Sequence, residues 1–279
     1  MESKGGAAVQ FARVNGVVIH HQAIGAAEGR PLIVFSNSLG TDFRIWRDVV
    51  VRLAGDFAIL CYDSRGHGLS DTGSTPYTLD DHVGDLAALM DHLGLKSGLI
   101  CGLSVGGMVA QALQAARPDL VAGLVLCSTA HKIGTPEFWD ARIGAVEGEG
   151  IASIADQVLE RWFTPGFRES VELAGYRNML IRQPVAGYAA TCAALRGADL
   201  TGTAARIDVP TICIAGAADG STPPALVAEL AGLIPGAHYE LIQDAAHILP
   251  VEQPGILTEI IRAFAALGSG APSDARQTH

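Results

Sequence analysis

The chain has 279 residues, long for one average domain but ordinary for an α/β fold closed around a single sheet. Its 49% hydrophobic content and mean hydropathy of +0.29 supply a large core, yet no stretch reaches the roughly 18 apolar residues that cross a bilayer. A net charge of −10 argues against nucleic acid or anionic membrane as a partner, because both bind through clustered Lys and Arg. The opening MESKGGAAVQ lacks a basic start followed by an apolar run of about 7 to 15 residues, so no secretory signal is visible and a cytoplasmic location is expected by default. The five cysteines include no C-x-x-C pair. Cys61, Cys101, Cys127 and Cys213 fall in apolar runs and read as buried, reduced thiols.

From residue 9 to 22 apolar and polar residues alternate around Asn15-Gly16, a strong hairpin signal, so two antiparallel strands are expected to start the sheet. Short apolar runs follow at 32–35, 58–62, 98–103, 121–126, 211–215 and 239–242, each bounded by Gly, Pro or polar turns. They read as strands buried on both faces. Helix-like segments at 79–92, 105–116, 224–234 and 254–267 lie between them, and this alternation specifies an α/β class with a mostly parallel sheet. The interval 134–200 interrupts the pattern with helical periodicity and no convincing strand. It is expected to form a helical cap inserted into a core made of 9–133 and 201–267, with 1–8 and the polar 268–279 as flexible tails. No internal repeat is present, which argues against a solenoid.

Gly102-Leu103-Ser104-Val105-Gly106 fits G-x-S-x-G, in which a nucleophilic serine sits on a tight strand-to-helix turn and small flanking residues keep the junction clear. The pattern alone is weak, since roughly 0.2 matches are expected by chance in a chain so rich in glycine. Its context is specific: an apolar strand runs into it and a helical segment leaves it, stopping at Arg117-Pro118. A serine hydroxyl needs a base to take its proton, and the base needs a carboxylate to orient it. His247 follows the last predicted strand through a four-residue loop, where it faces the serine. Asp219 ends the loop after the 211–215 strand and gives the order Ser, Asp, His. Asp244 competes on proximity to His247, whereas Asp208 precedes its strand and lies at the wrong end of the sheet. Two backbone N–H groups are expected to hold the oxyanion, that of Val105 and, from the run 36–40, that of Leu39. Arg65 and His67 read as loop organisers and Met108 as core.

In this order the hairpin, Tyr62-Asp63-Ser64-Arg65-Gly66-His67-Gly68-Leu69-Ser70, the serine turn, Gly216 to Asp219 with Thr222-Pro223, and His247 resemble the α/β-hydrolase superfamily over residues 10 to 266. Many members carry His-Gly where this chain has Asn37-Ser38. The runs SNSLGTDFRIW, DSRGHGLSD, GLSVGGMVAQ, IGTPEFWDARI and DGSTPP closely resemble the 3-oxoadipate enol-lactonases of aromatic catabolism, which share that variant loop. The resemblance implies that Ser104 opens the lactone of 3-oxoadipate enol-lactone through an acyl-enzyme, giving 3-oxoadipate, with neither metal nor organic cofactor. It also implies a small lactone or ester as the only partner, and it leaves the oligomeric state open. The substrate's free carboxylate calls for a cation, for which Arg44, Lys132, Arg142 and Arg161 are candidates. Arg142 and Trp139, one helical turn apart, are the favoured pair. A broad carboxylesterase or a cofactor-free perhydrolase uses the same triad and is the alternative within enzymes. A ligand-binding module on the same fold is the alternative outside them, and the complete triad argues against it. A haloalkane dehalogenase is excluded because it needs a carboxylate where Ser104 stands.

Overall fold

The computed structural model describes residues 10–25 and 29–268. The expected tails, 1–8 and 268–279, lie outside the described residues except for Gly268, which closes the last helix. The chain opens with β1 (Phe11–Val14) and β2 (Val17–Ile24), a hairpin in register from Phe11 opposite His20 to Val14 opposite Val17. Asn15 and Gly16 take φ of 46° and 81°, the doubly positive turn that matches strand twist. Then come β3 (Leu32–Ser36), α1 (Arg47–Leu53), β4 (Ala58–Tyr62), α2 (Leu79–His92), β5 (Gly98–Leu103), α3 (Val105–Ala116) and β6 (Val121–Cys127). Five helices follow without a strand: α4 (Pro136–Glu149), α5 (Ala155–Trp162), α6 (Pro165–Arg168), α7 (Leu173–Ile181) and α8 (Val185–Gly197). The short α9 (Thr201–Ala204) leads back to β7 (Thr211–Gly216), α10 (Pro224–Leu233), β8 (His238–Ile242), α11 (Leu249–Glu252) and α12 (Pro254–Gly268).

The eight strands form one sheet in the order β1-β2-β4-β3-β5-β6-β7-β8. β1 and β2 pair antiparallel, β2 meets β4 antiparallel, and all other pairings are parallel. Every residue of β4 and β7 is buried, as a parallel strand covered on both faces requires. β8 departs from that expectation. It is the edge strand, Tyr239 and Leu241 are 37% and 40% exposed, and only Ile242 is buried. An apolar run at the end of a sheet has no outer neighbour to cover it, although its composition is that of a central strand.

The ends of the helices are written locally. Thr78 and Asp81 form a capping box at α2, with the Thr78 N–H donating to the Asp81 carboxylate at 2.8 Å, and Pro118 stops α3. In the helical insertion, Thr135 caps α4 by accepting from the Phe138 N–H. α4 packs along α8, while Gly187 of α8 backs onto Gly66, where a Cβ would stand 2.3 Å from the Gly66 carbonyl oxygen, and Ala190 and Ala194 pack with Tyr77. No helix among the described residues is long and apolar enough to cross a membrane.

The insertion meets the core at a seam containing buried imidazoles. His82 of α2 lies 3.5 Å from the Thr191 hydroxyl of α8, edge-on to Tyr77. Burial pushes His82 down to about 3, reinforced by the nearby His67 and Arg65; burial also lowers His67. Both therefore take up a proton less readily in the folded chain than an unfolded histidine, whose pKa is about 6.5. Their depressed folded values leave stability intact above about 6.5 and remove it as pH falls below that point. Thermal melting followed from about pH 7 to 5 should show a falling midpoint, and His82→Gln, which keeps a hydrogen-bonding group without titrating, should flatten the fall.

Candidate active site

Ser104, Asp219, His247 and the loop that carries Leu39 leave the carboxyl ends of strands, where loops of an α/β sheet converge. Ser104 follows β5 and starts α3 with φ 58° and ψ −119°. A non-glycine residue held in such a region costs of order 1–3 kcal/mol. Neighbours enforce it: the Ser104 N–H donates to the Cys127 carbonyl at 3.0 Å, and the Thr129 hydroxyl donates to the Ser104 carbonyl at 2.6 Å. The flanking glycines are needed for space. A Cβ on Gly102 would stand 2.3 Å from the Gly106 carbonyl oxygen, and one on Gly106 would stand 2.3 Å from that of Ser36.

The loop after β3 is therefore pressed against the start of α3. It is pinned by side chains: Asn37 donates to the Tyr62 carbonyl at 2.7 Å and accepts from the Trp46 indole at 2.9 Å. The Gly40 N–H donates to His67 Nε2 at 3.0 Å. His67 Nδ1 faces the Arg65 carbonyl at 3.2 Å, so the neutral ring carries its proton on Nδ1 and offers Nε2 as acceptor. Arg65 is itself held by both oxygens of Asp85 at 2.6 Å. Leu39 lies at the centre of this loop and shares a cavity wall with Ser104.

Asp219 and His247 come from the loops after β7 and β8. The His247 Nδ1 is 2.8 Å from Asp219 Oδ2, with both residues buried. Asp219 also accepts from the Ser221 and Thr222 N–H groups at 2.7 and 2.9 Å and from the Thr222 hydroxyl at 2.8 Å. Burial works to raise the carboxyl, but His247 and these donors outweigh it and hold Asp219 below the usual carboxylate range. Asp244 is exposed at φ 52°, and Asp208 accepts from Gln114 beyond the opposite end of β7. Ser221 and Thr222 were recognisable in the sequence only as neighbours of Asp219; an Asp followed by Ser-Thr is the signal of a turn whose N–H groups bend back to the carboxylate.

Ser104 and His247 open into one cavity of about 180 Å³, below the ~300–1,000 Å³ of drug-sized sites. Its walls are mostly apolar. Trp139 contributes its ring while its indole N–H donates to the Ile133 carbonyl at 2.6 Å. Of the four candidate cations, two are elsewhere: Arg44 pairs with Asp42 at 2.6 Å and Lys132 with Asp199 at 3.2 Å. Arg142 and Arg161 both line the cavity, their guanidinium carbons 5.0 and 5.5 Å from the Phe138 ring centre. Arg142 donates to the Tyr188 hydroxyl at 3.3 Å, a phenol that burial pushes up to about 12. Among the described residues neither arginine meets a carboxylate.

The profile of the α/β-hydrolase fold matches residues 31–146. The 3-oxoadipate enol-lactonase 2 of Acinetobacter baylyi is 37% identical over 249 residues, 88% of this chain and 92% of the relative. The chain belongs to the α/β-hydrolase family. The 3-oxoadipate enol-lactonase 1 of the same organism is 34% identical, with coverage of 86% and 91%. The crystal structure of the enol-lactonase from Burkholderia xenovorans LB400 superimposes with a TM-score of 0.89 at 40% identity, covering 92% of this chain and 99% of that one.

Within this α/β-hydrolase the acid and histidine loops touch through Gly216, where a Cβ would stand 2.0 Å from the Ala246 carbonyl oxygen. Gly216→Ala must push the two loops apart. The expected result is loss of the low-field proton resonance of the Asp219–His247 bond, together with a fall in ester turnover of about a hundredfold, the scale of an ångström-sized misplacement. A wild-type spectrum with wild-type turnover would show that the contact does not position the pair.

Proposed function

We propose that this protein hydrolyses 3-oxoadipate enol-lactone to 3-oxoadipate, a step of the β-ketoadipate pathway, with Ser104, His247 and Asp219 as nucleophile, base and orienting acid. The observation that carries this reading is the pair of arginines that meet no carboxylate among the described residues, in a small, mostly apolar cavity that also holds Ser104 and His247. Such a cavity suits a short substrate with a carboxylate at one end and an acyl carbon at the other. The likeness to enol-lactonases along nearly the whole chain supports the same substrate.

In this reading His247, its Nδ1–H directed at Asp219, takes the Ser104 proton on Nε2 as Oγ attacks the lactone carbonyl. The negative charge moves onto the carbonyl oxygen, where the N–H groups of Val105 and Leu39 receive it. Collapse breaks the ring C–O bond; the enol leaving group takes the proton and becomes a ketone. The acyl chain stays on Ser104 until a water, deprotonated by His247, releases it as a second carboxylate. The insertion, residues 134–200, acts as the cap, and residues 9–133 and 201–267 as the catalytic core. Arg142, with Arg161 beside it, holds the carboxylate, while Trp139 walls the ring.

Steady-state loss of the lactone, compared with a neutral aryl ester, tests the substrate. The expected kcat/KM is about 10⁴ M⁻¹s⁻¹ or more for the lactone, greater than for the ester, and abolished by Ser104→Ala. Turnover of the ester alone would keep the serine chemistry and reject the lactone. Arg142→Ala should raise the lactone KM about tenfold to a hundredfold, the value of a charged hydrogen bond, and leave the ester KM near its starting value. An unchanged lactone KM would remove Arg142 from the carboxylate site.

A further inference from the structure

The histidine loop is tied to the helical segment before Thr164 by backbone and side-chain hydrogen bonds. Three successive N–H groups point the same way: those of His247 and Ile248 donate to the Trp162 carbonyl at 3.0 and 3.2 Å, and that of Ala246 donates to Glu252 Oε2 at 2.7 Å. The other oxygen of Glu252 reaches the insertion itself, accepting from the Thr164 N–H at 3.0 Å and the Thr164 hydroxyl at 2.7 Å. Just before Thr164, Arg161 and Trp162 line the cavity opposite Ser104.

We propose that Glu252 is a positioning residue that joins the histidine loop and the segment 161–164 into one unit, so that the cavity wall and the general base keep a fixed relation. This rests on the function proposed above. Glu252 meets no cation among the described residues; donors alone satisfy its carboxylate, on both oxygens. Charge-assisted bonds of this kind are shorter and stronger than neutral ones. The bridge needs acceptors on both sides. A glutamine offers one acceptor oxygen and turns an NH₂ toward a donor on the other side, so Glu252→Gln breaks one arm while keeping size and shape. With the arm lost, only the His247 and Ile248 N–H bonds to the Trp162 carbonyl still join the two, and the relation of the His247 backbone to the Arg161 side chain loosens.

The test measures kcat and KM for the lactone and for a neutral aryl ester, each per active site counted with a fluorophosphonate. In Glu252→Gln, kcat should fall about tenfold or more on both substrates because the base is displaced, while KM rises for the lactone alone because Arg161 is displaced. A variant with wild-type kcat and KM per counted site, whatever its melting temperature, shows that Glu252 only stabilises the fold and overturns the proposal. Should Glu252→Gln fail to fold, Thr164→Ala decides. Losing the hydroxyl arm should raise the lactone KM more than the ester KM, and an unchanged lactone KM overturns the proposal. A wild-type protein that neither takes up fluorophosphonate nor opens the lactone overturns the underlying function, and the proposed role of Glu252 falls with it.

Discussion

The reaction centre depends on how closely α3 approaches the loop after β3. At Gly106 the helix lies so near the Ser36 and Asn37 carbonyls that no side chain fits, and the loop that carries Leu39 is thereby held against the turn at Ser104 and Val105. The strained backbone at Ser104 is the local cost of aiming its hydroxyl out of a strand-to-helix junction instead of along it. The surroundings over-determine the strain: hydrogen bonds join Ser104 to Cys127 and Thr129 at the end of β6, and the carboxyl ends of β5 and β6 are buried. A serine on a freely flexible loop would relax to an ordinary turn and lose its aim.

The opposite half of the site repeats the logic with polar groups. Asp219 would be an expensive buried charge were it not for four donors, and those donors select which oxygen faces His247. On the oxyanion side, His67 holds Gly40 as a neutral acceptor, and Arg65 is held by Asp85. His67, read from the sequence as a loop organiser, thus fixes the loop that carries Leu39.

The succession of strands and helices, and the loops that carry Ser104, Asp219 and His247, could be read from the sequence because each depends on local signals. Apolar runs of strand length, the Asn15-Gly16 turn, and loops at strand ends need no tertiary information. The burial of β8 could not be read in this way, since Tyr239 and Leu241 look the same whether a neighbouring strand covers them or not. The insertion was legible as helical but not as geometry. Which of Arg44, Lys132, Arg142 and Arg161 face the cavity depends on how five short helices pack, and helical period fixes a face without saying what lies opposite it. Glu252 and Thr164 are 88 residues apart; neither forms part of a motif, and only the folded chain joins them.

The electrostatics of the cavity bear on the carboxylate site proposed for the insertion. Arg142 and Arg161 sit over the same Phe138 ring, whose quadrupole attracts each cation weakly while the two charges repel. In a mostly apolar cavity without an acidic partner such a pair is unfavourable until an anion enters between them. In the proposed function the favourable energy of anion binding is realised away from the scissile carbonyl, where it would hold the acyl carbon against Ser104 without tightening the ground state at the reacting atoms. A neutral ester of the same size would find the same nucleophile and the same oxyanion donors but no anchor. Specificity between the two therefore arises in the helices above the sheet, and chemistry in the loops at its edge.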